Sequence, residues 1–174
     1  NVLALDLSLG GGMPEGRISQ YYGPESSTKT NLALRTARSH QLLNPSKIVG
    51  FLDFERSLDI EWAARLGVDM STFLHVEPEY GETGVDQIYE LAMASDIGML
   101  IIDSIPAIIP ETTITKESSK AIVAGNSVLV TRLVQKIVGA QGQAASIGRP
   151  LTVLVLNQIR FKVGVMFGNP ENRP

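Results

Sequence analysis

The chain has 174 residues, of which 44% are hydrophobic, with a mean hydropathy of +0.10 and a formal net charge of -3. This length and apolar content predict a single folded domain with a buried core. No cysteine and only 2 histidines are present, which excludes a disulfide framework, a thiolate metal site and a histidine-based metal cluster. The net negative charge argues against a protein that binds nucleic acid through its total charge. Binding through a local basic loop remains an alternative. No signal-type segment or apolar run of ~18 residues is evident, so we expect a soluble, cytoplasmic protein that does not enter membranes.

Hydrophobic periodicity predicts strands and helices that alternate along the chain. Strands are predicted at 17–22, 47–53, 73–76, 98–103 and 151–157, and helices at 31–43, 58–66, 83–94 and 126–140. The polar stretch 110–125 predicts a mobile loop, 141–150 a connector, and 161–174 a tail without room for another strand. The alternation predicts an α/β fold, a doubly wound and mostly parallel sheet in one domain over residues 1–174.

A phosphate-binding loop is predicted between the first strand and the first helix, at Gly23-Pro24-Glu25-Ser26-Ser27-Thr28-Lys29-Thr30. Small residues let successive backbone N–H groups surround an anion, the Lys29 ammonium can reach the outer phosphates, and the Thr30 hydroxyl can hold Mg²⁺. The pattern asks for glycine before the lysine, where this chain has Thr28. The alternative interpretation is an ordinary Gly-Pro turn followed by a Ser/Thr helix cap.

Polar residues end several predicted strands, and the carboxyl ends of parallel strands form the ligand-binding edge of an open sheet. They are Asp53 and Glu55, Asp103 and Ser104, and Asn157 and Gln158. Asp103 is predicted to hold Mg²⁺ opposite Thr30, and Glu55 to orient and deprotonate an attacking water. The Gln158 amide can report the γ-phosphate by hydrogen bonding. Each residue taken singly could instead be a strand-end cap or a solvated turn residue.

The segment after Gln158 combines cationic, aromatic and flexible residues. Arg160 and Lys162 are followed by Gly164, Met166, Phe167, Gly168 and Asn169. This composition suits a loop that neutralises phosphates and places apolar groups against bases. A plain β-hairpin with an apolar face is the alternative.

Ordered sequence blocks resemble the bacterial RecA recombinases over nearly the whole chain. They are Gly23 to Thr30, Phe51-Leu52-Asp53-Phe54-Glu55 with Leu58-Asp59, Ile101-Ile102-Asp103-Ser104, and Asn157-Gln158-Ile159-Arg160 running to Phe167-Gly168-Asn169-Pro170. The resemblance implies a P-loop ATPase that forms helical filaments on single-stranded DNA and pairs them with double-stranded DNA for strand exchange in recombination and repair. ATP and Mg²⁺ would be its cofactors.

The resemblance also assigns roles to individual residues. It implies ATP binding by Gly23, Pro24, Glu25, Ser26, Ser27, Thr28, Lys29, Thr30, Asp59, Trp62 and Asp103, catalysis by Glu55, Lys29 and Gln158, metal binding by Thr30 and Asp103, and DNA binding by Arg160, Lys162, Gly164, Met166, Phe167, Gly168 and Asn169. Asp59 would lie on the adenine side. Trp62 stands where the family usually has a stacking tyrosine, although a buried core tryptophan is an open alternative.

The chain departs from the family pattern at several places. Thr28 replaces a glycine, as a bulky residue does in phage recombinases of the UvsX type, and 111–125 does not resemble the family's first DNA loop. The chain stops inside the second DNA loop, so we expect an ATPase core that is incomplete at both ends. The alternatives are a DNA-binding or filament-regulating paralogue with an impaired nucleotide site, and another RecA-fold motor such as a helicase.

Overall fold

A five-stranded parallel sheet organises the chain in the computed structural model, which describes residues 2–111, 119–161 and 171–172, with side chains at 2–111 and 127–159. The strands are β1 (Ile18–Gly23), β2 (Ile48–Asp53), β3 (Phe73–Val76), β4 (Ile97–Asp103) and β5 (Thr152–Gln158). Their spatial order is β1-β5-β4-β2-β3, and every neighbouring pair is parallel. This confirms the predicted α/β class.

Helices connect the strands and cover the sheet. They are α1 (Leu3–Ser8), α2 (Lys29–Leu43), α3 (Ile60–Arg65), α4 (Gly81–Met93) and α5 (Ser119–Ser146). Short 3₁₀ turns lie at Met70–Thr72 and Ile105–Ala107, and β6 (Arg160–Phe161) pairs antiparallel with β7 (Glu171–Asn172). Within the described ranges, no helix is long and apolar enough to cross a bilayer.

Separate hydrophobic clusters lie on the opposite faces of the sheet. All of β4 is buried, and its side chains alternate between the faces because a strand has a period of two residues. Leu100 and Ile102 join the cluster of α4 and α5, whereas Ile101 joins the cluster of α2 and α3. Helices on both faces explain why this strand is a continuous apolar run, and they confirm the doubly wound arrangement.

Helix α5 is longer at both ends than the sequence analysis predicts. The backbone is already helical at Ser119, inside the predicted loop 110–125, and it stays helical to Ser146, inside the predicted connector 141–150. The connector prediction is wrong over 141–146, because the small residues there include alanines, which have the highest helix propensity, whereas 147–150 do connect the helix to β5. Ala140 and Ala144 are buried one turn apart and belong to the hydrophobic cluster of α4 and α5. Residues 112–118 of the predicted loop lie outside the described part.

Helix α4 begins at Gly81, with Tyr80 as its N-cap, and not near Thr83 as predicted. A Cβ atom at Gly81 would lie 2.8 Å from both the Ile109 carbonyl oxygen and a methyl group of Leu129. The first turn of the helix therefore packs closely against neighbouring chain, which a glycine permits. The helix ends under Arg149, whose guanidinium donates to the carbonyl oxygens of Ala94 at 2.7 Å and Ala92 at 2.9 Å.

The ends of the chain differ from the prediction in small ways. Helix α1 lies before β1, where the sequence analysis predicts no element. The tail after 161 does hold a further strand, since Glu171 pairs with Phe161 and Asn172 with Arg160. This strand is only 2 residues long, which is too short to leave a periodic signal in the sequence.

Candidate functional site

The predicted phosphate-binding loop connects β1 to α2 at the carboxyl edge of the sheet. A Cβ atom at Gly23 would lie 2.7 Å from the Ser27 hydroxyl oxygen, so a larger residue there would force the Ser27 side chain to shift. Ser26 and Thr28 have φ angles of 56° and 63°, in the left-handed region that favours glycine. Thr28 thus occupies the one conformation that its branched side chain disfavours, yet the side chain is exposed and its hydroxyl donates to the Ser27 carbonyl oxygen at 2.6 Å.

Lys29 folds its ammonium group back over this loop. Its Nζ donates to the carbonyl oxygens of Pro24 at 2.7 Å and Gly23 at 3.2 Å, and lies 3.4 Å from the Ser27 hydroxyl oxygen. Neutral carbonyl oxygens hold a cation less strongly than an anionic oxygen does. An anion that enters the loop would therefore take the ammonium from these carbonyl groups.

Thr30 and Asp103 meet beside the lysine. The Thr30 hydroxyl donates to Asp103 Oδ2 at 2.7 Å, and Asp103 is only 3% exposed. Burial raises the pKa of Asp103 to about 6, and the negative charges of Glu55 and Asp53 add to this rise, although the Thr30 hydrogen bond and Lys29 oppose it. A divalent cation would stabilise the charged form of a carboxylate in such surroundings. A hydroxyl oxygen and a carboxylate oxygen are suitable ligands for Mg²⁺.

Glu55 lies opposite this pair, held by two amide or hydroxyl donors. The Ser104 hydroxyl and the Gln158 amide both donate to Glu55 Oε1, the latter at 3.1 Å. The same oxygen accepts both bonds, so the carboxylate has a defined orientation where it lines the cavity. The sequence analysis names Ser104 only as a strand-end residue, because its contact with Glu55 depends on how β4 and the segment after β2 meet in space.

A cavity of about 440 Å³ brings these groups together. Its lining residues are Glu25, Ser26, Ser27, Thr28, Lys29, Thr30, Glu55, Asp103 and Gln158, all of them predicted as site residues. The strand order explains the meeting: β1 pairs with β5, which places Gly23 opposite Gln158, and β4 lies between β5 and β2. The sheet therefore positions the loop, the amide and the carboxylates along one edge.

Some predicted residues have structural roles at this edge. Asp53 Oδ2 accepts hydrogen bonds from the backbone N–H groups of Ser57 and Leu58, both at 2.9 Å, and Asn157 Oδ1 accepts from the Gln158 N–H at 2.8 Å. These two side chains act as strand-end caps, the alternative that the sequence analysis leaves open.

The predicted adenine contacts lie outside the cavity. Asp59 is the N-cap of α3 and its Oδ1 accepts from the Trp62 N–H at 2.9 Å. Trp62 is 43% exposed, so the core alternative for this side chain is wrong. Both residues stand on the surface after β2, with the indole available for contact.

The predicted DNA-binding residues fall largely beyond the described part. The backbone of Arg160 belongs to β6, which starts two residues after the site glutamine. Its side chain, together with Lys162, Gly164, Met166, Phe167, Gly168 and Asn169, lies outside the described residues.

Comparison with known proteins decides the family. The protein-family model described as the RecA N-terminal domain matches residues 1–174 of the sequence. The chain belongs to the RecA family. This RecA-family chain is 38% identical over 97% of its length to Protein RecA of Synechococcus sp. (strain CC9902), and 37% identical over 97% to Protein RecA of Petrotoga mobilis. It is 35% identical over 96% of its length to Protein RecA of Mesoplasma florum. It spans 43%, 44% and 48% of those three relatives, respectively.

Proposed function

We propose that this chain is the ATPase core of a DNA recombinase that coats single-stranded DNA as a filament, pairs it with homologous double-stranded DNA and exchanges strands. One observation carries the proposal: Lys29, the Thr30–Asp103 pair and the Glu55–Gln158 pair face one cavity at the carboxyl edge of a RecA-family sheet. The three relatives compared above are each named Protein RecA, which supports the same activity for the longer protein. A protein with this activity would act in the cytoplasm, where it would meet bacterial DNA or the DNA of an infecting phage.

The residues in the cavity fit ATP with Mg²⁺. The backbone of Gly23 to Thr30 would surround the triphosphate, with Lys29 Nζ on its outer phosphates. Thr30 and Asp103 would hold the metal. The charged form of Asp103 is disfavoured by its burial, and a divalent ion bound by this carboxylate and the neighbouring hydroxyl would supply the positive charge that stabilises it. Bound Mg²⁺ would neutralise charge on the phosphate oxygens during phosphoryl transfer. Asp59 and Trp62 would receive the adenine, the indole by stacking.

Glu55 would act as the catalytic base. Its carboxylate lines the cavity and is oriented by hydrogen bonds from Ser104 and Gln158, and it would accept a proton from a water that attacks the γ-phosphate. The remaining work of the chain is to hold the phosphates in place and to stabilise their charge, since phosphoryl transfer needs little covalent participation from the protein.

Gln158 would couple the nucleotide to DNA. Its amide both donates and accepts, so it can leave Glu55 for a γ-phosphate oxygen, and it ends the strand that leads into Arg160 to Asn169. That segment would contact DNA, with Arg160 and Lys162 on phosphates and Met166 and Phe167 against bases. Successive protomers would assemble head to tail, since an open heterologous contact gives a filament.

The test is ATP turnover with and without single-stranded DNA, measured on this sequence within a protein of the relatives' full length. DNA is expected to raise turnover, and Lys29→Ala and Glu55→Gln to abolish the increase. Lys47→Ala is the matched control, because Lys47 Nζ donates to the Ser95 carbonyl oxygen far from the cavity. Unchanged turnover in both cavity variants would contradict the proposal.

The affinity for nucleotide distinguishes an ATPase from a paralogue with an impaired nucleotide site. The left-handed backbone conformation of Thr28 is the observation that favours the paralogue. Calorimetric titration with a non-hydrolysable ATP analogue and Mg²⁺ is expected to show binding that Lys29→Ala removes. If wild type and Thr28→Gly differ so that only the glycine variant binds, the chain is a DNA-binding paralogue and not an ATPase.

A further inference from the structure

An imidazole and two carboxylates converge on the side of β2 that faces β3, apart from the cavity described above. Asp53 ends β2, His75 lies in β3 and Glu77 follows it. Leu52 pairs with Val76 in the parallel register, which carries the next residues of both strands to the same edge of the sheet. His75 Nε2 lies 3.5 Å from Asp53 Oδ2 and 3.8 Å from Glu77 Oε1, and ligand atoms of the three residues lie within 4.8 Å of one another.

Two buried atoms of this cluster, Asp53 Oδ1 and His75 Nε2, lack hydrogen-bond partners. Asp53 is 1% exposed, and its Oδ1 accepts no hydrogen bond although Oδ2 accepts two from the backbone. His75 Nε2 is also buried and makes no hydrogen bond to either carboxylate that it faces. A buried polar atom without a partner destabilises the folded chain, and the cost is larger where the group is charged. The Asp53 oxygen nearest Nε2 is Oδ2, at 3.5 Å, so a cation between them would give the ring nitrogen a partner and offset the charge of the buried carboxylate.

We propose that Asp53, His75 and Glu77 bind a zinc ion. Zn²⁺ accepts imidazole nitrogen and carboxylate oxygen at roughly 2.0–2.2 Å, so neighbouring ligand atoms of a tetrahedral site lie about 3.3 Å apart. The two distances to His75 Nε2, 3.5 and 3.8 Å, need to contract by only a few tenths of an ångström. Glu77 is 50% exposed, so the fourth position opens to solvent and can hold water.

The chemistry of the donors separates this site from the one proposed for Mg²⁺. Mg²⁺ prefers oxygen ligands in octahedral geometry, which Thr30 and Asp103 can share with phosphates and water. An imidazole nitrogen suits zinc and other late first-row metals instead. The two ions would occupy neighbouring strand ends, since Asp53 and Asp103 are partners in the β2–β4 register.

Calorimetric titration of the chelator-treated chain with ZnCl₂, in buffer with excess Mg²⁺, tests the proposal. We expect one equivalent to bind, with affinity about 100-fold lower in His75→Gln, because the loss of an outer-sphere partner alone costs 10–100-fold. Glu77→Gln should weaken binding about tenfold. Glu79→Gln is the matched control, an exposed carboxylate on the same loop outside the cluster, and should bind as wild type does.

Two further readouts guard against a variant that fails to fold. Co²⁺ in place of Zn²⁺ is expected to give the intense visible absorption of a four-coordinate ion in wild type and in Glu79→Gln, and not in His75→Gln. Zinc should raise the melting temperature of wild type, because it binds the folded state, and leave that of His75→Gln unchanged. Equal zinc affinity in wild type and His75→Gln, or no binding by wild type, would overturn the proposal and leave His75 as a simple ion-pair partner of the carboxylates.

Discussion

Replacing Asp103 with asparagine is expected to stabilise the chain at neutral pH in buffer without nucleotide or Mg²⁺. The substitution keeps the shape of the side chain and leaves an oxygen to accept the Thr30 hydroxyl hydrogen bond. It removes a negative charge that burial disfavours, and that the charges of Glu55 and Asp53 also disfavour. The Asp103 carboxylate, which is proposed to hold the metal, therefore lowers the stability of the folded chain when no metal is bound.

The magnitude follows from the shift in pKa. Asp103 has a pKa of about 6 in the folded chain against an ordinary value of 3.8, and each pKa unit corresponds to about 1.4 kcal/mol. The folded state binds more protons than the unfolded state between these values, so wild-type stability falls as the pH rises through this window. The asparagine variant does not titrate there. Its advantage should be absent below about pH 3, about 1.5 kcal/mol at pH 5 and about 3 kcal/mol at pH 7.5.

Urea denaturation of wild type and Asp103→Asn, monitored by circular dichroism across this pH range, measures the advantage. Asp86→Asn is the control with the opposite sign, because the hydrogen bond from Lys136 lowers the pKa of this exposed carboxyl group. That variant should be slightly less stable than wild type at pH 7.5, and the difference should vanish as the pH falls. An Asp103→Asn variant whose advantage does not grow between pH 5 and pH 7.5 would refute the reasoning.

Other substitutions test the loop and the packing. Thr28→Gly should raise the free energy of unfolding by about 0.5–1 kcal/mol, since relief of the left-handed strain exceeds the added entropy of the unfolded chain; urea denaturation measures this, and a loss of stability would contradict the strain. Gly84→Ala should lower it by about 1–3 kcal/mol, because the new Cβ would overlap the Phe54 ring; thermal unfolding without a shift would contradict the overlap. Arg149→Met should cost about 3 kcal/mol through lost hydrogen bonds to carbonyl oxygens at the end of α4, whereas Arg65→Met, with an exposed arginine, should cost under about 1 kcal/mol.

The sequence predicts the sheet well because buried parallel strands leave a strong local signal. β2 and β4 are runs of apolar residues that end in an aspartate, and the structure begins and ends them within one residue of the prediction. The residues that line the cavity were also predicted, since they follow directly from the strand ends and the loop motif. Their roles in binding ATP stay a prediction.

Features that depend on contacts between distant segments could not be predicted in this way. The Ser104–Glu55 hydrogen bond and the approach of His75 to Asp53 each require the order of the strands in space. The sequence analysis ends helix α5 at residue 140, because the small residues that follow suggest a connector. Only the packing of the helix against the sheet shows that the alanines continue it. Packing thus overrode local composition.

The carbonyl oxygen of Gly23 is a shared junction between the loop and the segment that follows β5. It accepts from Lys29 Nζ at 3.2 Å and from the Ile159 N–H at 3.1 Å. An anion that draws the ammonium away leaves Ile159 as the remaining donor to this oxygen, and changes the pull on the main chain just ahead of Arg160. Anion binding in the loop would thus affect this segment through the backbone hydrogen bond as well as through the Gln158 side chain. The backbone hydrogen bond would remain when Gln158 is substituted.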